Sequence, residues 1–393
     1  MATKKDNKGR KLNKGEQQRK DGTYHYTYLD IYKKRRYIYA KTLVELREKE
    51  EELKRDLFDG IDSTSSKMTL NKLFRVFINF KKDLRESTKV NYIRRWEYSI
   101  ENTTLANMKI CDIKHIHIRA FYNECVNNGL KRNTIKLLHG LIYSTLELAV
   151  ESDYIRKNPA KNCMKNIEGD AEEKTPLTEK EIESLLEFCR KSNVYDIHVP
   201  FITIAVGTCL RCGELTGLTW NDVDLKNRLI NIDHQLIYKN YGDGCKFHIN
   251  EPKTSAGKRV VPMSESVYKA FIEIRKQNFV LGRSCKANID GYTNFVFLSS
   301  NGQPYATNGI NHFLRNIEKA YNKAYPQEII PHISAHILRH TGCTIYASKG
   351  MDVKALQDLM GHSDASVTMN VYNHSSFERT EKELRKIELK MIV

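Results

Sequence analysis

The stretch Pro331-His332-Ile333-Ser334-Ala335-His336-Ile337-Leu338-Arg339-His340-Thr341 decides how the second half of the chain is read. Read as the start of a helix, it puts His336 and Arg339 three residues apart on one side, with His340 four residues beyond His336. Two cationic donors on one turn suit a phosphodiester, because a guanidinium forks across two oxygens. His-x-x-x-His is also a zinc spacing. Here no glutamate stands between the histidines, and Asp and Glu are absent between 329 and 351, so a local carboxylate ligand is missing.

Three more stretches carry possible chemistry. In Gly207-Thr208-Cys209-Leu210-Arg211-Cys212-Gly213-Glu214-Leu215 an arginine sits among apolar residues, and burying it unpaired is costly. Glu214 shares its helical face and can hold it, as a structural ion pair or as part of a site. Glu251-Pro252-Lys253-Thr254-Ser255-Ala256-Gly257-Lys258-Arg259-Val260-Val261-Pro262 reads as a hairpin with a basic tip, Lys253 standing just before the Gly257 turn. In Leu356 to His374 the Gly361-His362 step ends a helix, and a second short helix carries Tyr372. Among 21 tyrosines most serve packing, and the immediate neighbours of Tyr372 do not by themselves single it out.

Working outward, 393 residues accommodate two or three domains, and an apolar fraction of 40% supplies packed cores. A formal charge of +16 favours polyanionic partners: DNA, RNA or an acidic membrane face. No run of 18 apolar residues is present, so no membrane span is expected, and Met1-Ala2-Thr3-Lys4-Lys5-Asp6 leads into no apolar stretch of a secretory signal. The nine cysteines are scattered and odd in number, which fits a reducing cytoplasm better than a disulfide framework. Cys209 and Cys212 have CxxC spacing, but buried small residues are the better reading of a lone pair.

Residues 1–20 look like a flexible basic arm. Strand-forming runs follow at Tyr24–Tyr28 and Arg36–Tyr39, and leucines at 43, 46, 53 and 57 mark a helix. Over residues 1–41, 13 Lys and Arg face 4 Asp and Glu, which points this small sheet-and-helix unit at phosphate; Lys20, Lys33, Lys34, Arg35 and Arg36 are its candidate contacts. Residues 60–66 read as a linker. The unit spanning 67–168 is wholly helical, clearest at Thr134–Val150, and Arg94, Arg95, Lys131 and Arg132 either form a wet face or line a DNA groove. After a charged connector, Thr178 caps a helix with Glu181 in the matching position. From there to Val393 the pattern is one mixed α+β domain, with strands at Leu229–Ile232, Lys246–Asn250 and Arg259–Pro262 and mostly helix from about 308. The division is therefore 1–62, 67–168 and 175–393.

Together these boxes resemble the tyrosine recombinase (phage integrase-like) family. The layout is most similar to integrases of conjugative transposons, including Asp6-Asn7-Lys8-Gly9-Arg10 and Gln18-Arg19-Lys20-Asp21-Gly22. Arg211 and Glu214 match the family's R-x-x-E, and Lys253 its P-K-T-x-x-x-x-R. His336, Leu338, Arg339, His340 and Thr341 match H-x-L-R-H-T. Leu356, Met360, Gly361 and His362 match L-x-x-x-(L/M)-G-H, and Tyr372 with His374 matches Y-x-H. Cys212-Gly213 and Gly342-Cys343 depart mildly from the usual pairs, at positions of packing.

The resemblance implies a small N-terminal β-sheet-plus-helix unit that binds arm sites, an all-α core-binding domain and a mainly-α mixed catalytic domain. It implies site-specific cutting and rejoining of double-stranded DNA at element ends and insertion targets through a 3′-phosphotyrosine. Tyr372 would be the nucleophile, Arg211 and Arg339 the phosphate clamp with His336 and His362, Lys253 the general acid, and Glu214 and His340 supporting groups. No metal or cofactor is called for, because arginines compensate the phosphate charge. Also implied are a homotetramer on DNA, a small excision factor as partner, and a bacterial cytoplasmic, nucleoid-associated location. The apolar stripe Phe377, Leu384, Ile387 and Met391 marks a tail helix that packs on its own domain or on a neighbour. A Xer-like resolvase shares the chemistry but lacks the N-terminal unit. A relaxing topoisomerase has no need of arm sites, and an inactive architectural DNA-binding protein would lack an arginine or the tyrosine.

Overall fold

The computed structural model describes residues 4–29, 33–58, 68–165, 167, 175–242, 244–252, 254–364 and 369. The chain divides into two compact units, residues 1–172 and 173–393.

The first unit begins with an antiparallel sheet ordered β1 (Glu16–Gln18), β2 (Tyr24–Leu29), β3 (Arg35–Ala40), followed by helix α1 (Leu43–Phe58). The register Tyr24↔Ala40 and Tyr26↔Ile38 puts these four side chains on one face, where they pack with Leu12, Leu43 and Leu46. The other face carries His25, Tyr37 and Tyr39, their rings about 6 Å apart, with the Arg19 guanidinium 5.5 Å from Tyr39. Residues 4–20 are not the expected loose arm. The Asp6 carboxylate accepts from the Lys8 and Arg10 amides, from Arg10 Nε and from the Tyr24 hydroxyl, Leu12 enters the core, and β1 pairs with β2. Burial alone would raise the Asp6 carboxyl; these donors outweigh it and hold it down at about 2.

The same unit continues through α2 (Leu70–Phe80), α3 (Glu86–Ser99), α4 (Thr104–Asn107), α5 (His115–Asn127) and α6 (Arg132–Glu151). Thr69 caps α2 through the Lys72 amide. Leu70, Phe74, Phe77, Ile135, Leu138 and Ile142 meet in one core, where Trp96 stacks on Phe74 at 3.8 Å and gives its indole N–H to Asn71.

The second unit opens with α7 (Glu179–Arg190), closed at its start by the reciprocal Thr178–Glu181 capping box. Helix α8 (Val199–Thr208) is apolar all round and buried, with α10 (Glu265–Val280) and α12 (Ala335–Ser348) packed against it. Between them lie α9 (Cys212–Gly217), β4 (Val223–Asp224), β5 (Leu229–Ile232), β6 (Gln235–Asn240), β7 (Cys245–Asn250) and β8 (Arg259–Pro262); α11 (Thr307–Ala324) and α13 (Val353–Met360) complete the unit. The segment 251–262 is not a hairpin. β7 pairs with β6, whereas β8 pairs with β5, so the turn after β7 passes between two separate sheets, β6-β7 and β4-β5-β8. The hairpin expectation failed because the partner of β8 is the distant strand β5, whereas the Gly257 turn signal is local; β6, which the sequence reading did not mark, pairs with β7 across the short connection 241–244. No described helix is long and apolar enough to cross a membrane.

Candidate active site

Two buried helix ends bring the arginine boxes together. Helix α8 stops at Cys209, whose left-handed backbone (φ 53°) turns the chain out toward Arg211 at the head of α9. Helix α13 stops at Gly361, also left-handed (φ 62°). A Cβ there would stand 2.8 Å from Arg259 Nη1 and 3.0 Å from the Ala256 carbonyl, so conformation and space both select glycine.

Glu214 is the hub. It is 3% exposed. Its Oε1 accepts from Arg211 Nη1 (2.7 Å), its Oε2 accepts from the Arg211 amide and Arg259 Nη2 (2.9 Å each) and lies 4.0 Å from Arg339 Nη1. Burial pushes its carboxyl up, but the Arg259 hydrogen bond and charge and the Arg211 contacts outweigh that and hold it below the ordinary value. Among the described residues, Glu214 is the carboxylate paired with all three of these arginines.

Arg339 lies beneath, 3% exposed, donating to the carbonyls of Cys209 (2.7 Å) and Met360 (2.6 Å). Burial first, then repulsion from Arg211, lowers its guanidinium to about 10. Its Nη2 also meets His362 Nε2 at 2.9 Å. A guanidinium only donates, so His362 accepts through Nε2 and its proton sits on Nδ1. Burial and the charge of Arg339 push His362 down to about 4, so at neutral pH it is an uncharged acceptor. Arg211 is the more open partner, 40% exposed at its side chain, and donates to the Gly361 carbonyl 150 residues away at 2.8 Å. A cleft of about 380 Å³ opens here, lined by Arg211, Glu214, Thr254, Gly361 and Ser363 among others.

The structure thus joins Arg211, Glu214, Arg339 and His362. His336 is exposed on α12, its Nε2 2.9 Å from that of His340. Lys253, Tyr372 and the tail from Phe377 lie outside the described residues. Lys20, Lys33, Lys34, Arg35, Arg36, Arg94, Arg95, Lys131 and Arg132 are all exposed. Cys209 is buried beside Cys343, and burial raises its thiol to about 12, which makes it an inert packing residue. Asp222, Asp233 and His234 cluster, but the imidazole spans Asp233 Oδ1 (2.6 Å) and the Gly217 carbonyl (2.8 Å), fastening the β5–β6 turn to α9.

Sequence reading met Arg259 only as the last residue of the P-K-T-x-x-x-x-R pattern and gave it no role. It also passed over Gln357, whose Nε2 donates to the His362 carbonyl at 2.9 Å. Nothing in the sequence marks that contact.

Residues 175–379 match the phage integrase family. The chain belongs to that family. This phage-integrase chain also matches, over residues 1–57, the DNA binding domain of Tn916 integrase. The transposase from transposon Tn916 of Enterococcus faecalis is 35% identical, over 98% of this chain and 96% of its own length. That from transposon Tn1545 of Streptococcus pneumoniae has the same identity and coverage. The Tn1549 transposon integrase, solved in complex with transposon right end DNA, aligns with a TM-score of 0.74 at 34% identity, over 82% of this chain and 100% of that one. A lambda integrase dimer bound to a core site shares the fold at 16% identity, over 92% of this chain and 95% of that one, with a TM-score of 0.57. The chain is a site-specific DNA recombinase of the tyrosine type, acting on mobile-element DNA.

Two half-buried histidines lead us to expect a loss of stability in acid. His362 and His198, the latter stacked on Phe313 at 4.1 Å, are each lowered to about 4, chiefly by burial. Between pH 6.5 and 4 the unfolded chain therefore binds more protons than the folded one, so stability is full above 6.5 and falls as pH drops through that window. Thermal melts of the full chain should show this slope, and His198→Phe should flatten it; an unchanged slope would remove His198 from the account.

Proposed function

We propose that the Tyr372 hydroxyl attacks a backbone phosphate of double-stranded DNA at the element ends, forming a 3′-phosphotyrosine and releasing a 5′-hydroxyl. The observation that carries this reading is the cluster of three guanidinium groups around one buried carboxylate at the wall of a cleft. Such a site holds more positive than negative charge and suits an anion whose charge grows during reaction.

Arg211 and Arg339 hold the non-bridging oxygens. His362 aligns Arg339, and an entering phosphate oxygen competes with its ring for the Nη2 proton. A tyrosine hydroxyl with a pKa near 10 needs a base, a role that falls to His336, steadied by His340. Lys253 protonates the leaving 5′ oxygen, and Glu214 orients Arg211 without taking a proton. The phosphodiester energy stays in the protein link, so a second DNA end reverses the step without ATP. The arginines do the charge compensation that metal pairs do in nucleases.

The division of labour follows the three segments: 1–62 on arm sites, 67–168 on core sites beside the scissile phosphate, and 175–393 for chemistry. The exposed basic residues of the first two segments make the phosphate contacts. The Tn1549 relative, a transposon integrase bound to transposon end DNA, supports this choice of substrate. Exchange between two duplexes needs four active sites, hence a homotetramer on DNA, with a small excision factor setting direction in the bacterial cytoplasm.

A duplex of the element end, nicked beside the cleavage point so that the released fragment diffuses away, tests this. The wild-type chain accumulates a denaturation-resistant protein–DNA adduct in EDTA, and Tyr372→Phe forms none. An adduct that vanishes in EDTA, or persists in the Phe variant, contradicts the reading.

A further inference from the structure

We infer that Arg259 is a positioning residue that locks the 251–258 turn, which carries Lys253, onto the arginine cluster, and thereby sets delivery of the proton to the leaving 5′ oxygen. The inference rests on the role proposed above for Lys253.

The turn lacks the anchor a hairpin would give it, because β7 and β8 belong to different sheets. A short 3-10 turn, Ser255–Gly257, shapes it locally, with the Gly257 and Lys258 amides donating to the Thr254 and Ser255 carbonyls at 3.0 Å each. Arg259, the first residue of β8, ties it to the site, beside a long bond from Gln235 Nε2 to the Glu251 carbonyl (3.4 Å). Nη1 donates to the Gly257 carbonyl (3.1 Å), Nε to the Leu359 carbonyl (2.8 Å) and Nη2 to Glu214 Oε2 (2.9 Å).

One planar group thus spans the lysine-bearing turn, the end of α13 next to His362, and the carboxylate that holds Arg211. The side chain is 8% exposed, so this charge is accounted for by its partners and not by solvent. Gly361 packs directly against Arg259 Nη1 and the Ala256 carbonyl, so the His362 corner and the turn share a wall. Movement of the turn relative to the cluster must break one of these bonds. A lysine keeps the charge but cannot span all three acceptors.

In the reaction, the Tyr372 oxygen–phosphorus bond forms, the phosphorus–O5′ bond breaks, and O5′ takes a proton from Lys253. When sulfur replaces the bridging O5′, the leaving group departs as a thiolate, stable near neutral pH, and needs no proton. The experiment uses the full chain on matched nicked duplexes with oxygen or sulfur at that position, with Lys253→Ala as control.

On the oxygen substrate Arg259→Lys should cleave on the order of a hundredfold slower, with duplex binding retained. On the sulfur substrate both Arg259→Lys and Lys253→Ala should return close to the wild-type rate. Should Arg259→Lys fail to bind DNA, Arg259→Gln is read in the same way. Rescue of Lys253→Ala but not of the Arg259 variant overturns the inference alone: Arg259 would then serve the clamp or the fold. Failure to rescue Lys253→Ala overturns the general-acid role, and the inference with it. Full activity of Arg259→Lys on oxygen also overturns it.

Discussion

Arg339→Lys should slow strand cleavage on the order of a thousandfold while duplex affinity stays close to that of the wild type. The two halves of that expectation come from one geometry. The Arg339 side chain is 3% exposed and held by the Cys209 and Met360 carbonyls, so it contributes little to the outward field that gathers DNA. That field comes from exposed Lys and Arg on a chain of formal charge +16. Inside the site, an aimed guanidinium stabilises charge that grows in the transition state, and removing one such donor costs about 3–4 kcal/mol. Lysine retains the charge but offers a point where a fork is needed, and it releases either the Met360 end or the Cys209 end. Single-turnover cleavage and gel-shift titration measure the halves separately. A parallel loss of binding and cleavage would place Arg339 in DNA capture instead.

Gly342→Ala should cost about 3 kcal/mol or more of stability. A Cβ at this point of α12 would stand 2.0 Å from the Val206 carbonyl oxygen and 2.7 Å from Cys209 Sγ. The first obstacle is backbone, so no rotamer change relieves it, and α12 must move off α8. At about 2–4 °C per kcal/mol for a unit of this size, the melting transition should fall by roughly 6–12 °C. Cleavage should fall further than stability alone dictates, since the same displacement pulls Arg339 from the Cys209 carbonyl. A melting temperature within a degree of wild type would mean that the α8–α12 contact is looser than described.

How much of this was legible in the chain depends on the range of the interaction involved. Helices α6 and α7 announced themselves through apolar periodicity or a cap, which are local; Thr178 was readable as a cap for that reason. Strand β1, Glu16-Gln17-Gln18, has no strand signal of its own and exists because β2 pairs with it. The supposed hairpin at 251–262 failed because β8 pairs with β5, with β6 and β7 intervening in the chain. The boxes gave the order of the site residues but not their depth. His336 and Arg339 share one side of α12, yet the edge of the buried arc runs between them, leaving one exposed and the other buried. That His362 is neutral, and that Glu214 serves three arginines, depend on contacts between segments far apart in sequence.

The most direct test of the account is to trap the protein–DNA adduct on the nicked substrate, digest it, and identify by mass spectrometry the amino acid that carries the nucleotide. The account predicts a single linkage, from the Tyr372 hydroxyl to a DNA 3′-phosphate, formed with EDTA present. Attachment at any other residue, or to a 5′-phosphate, would contradict it.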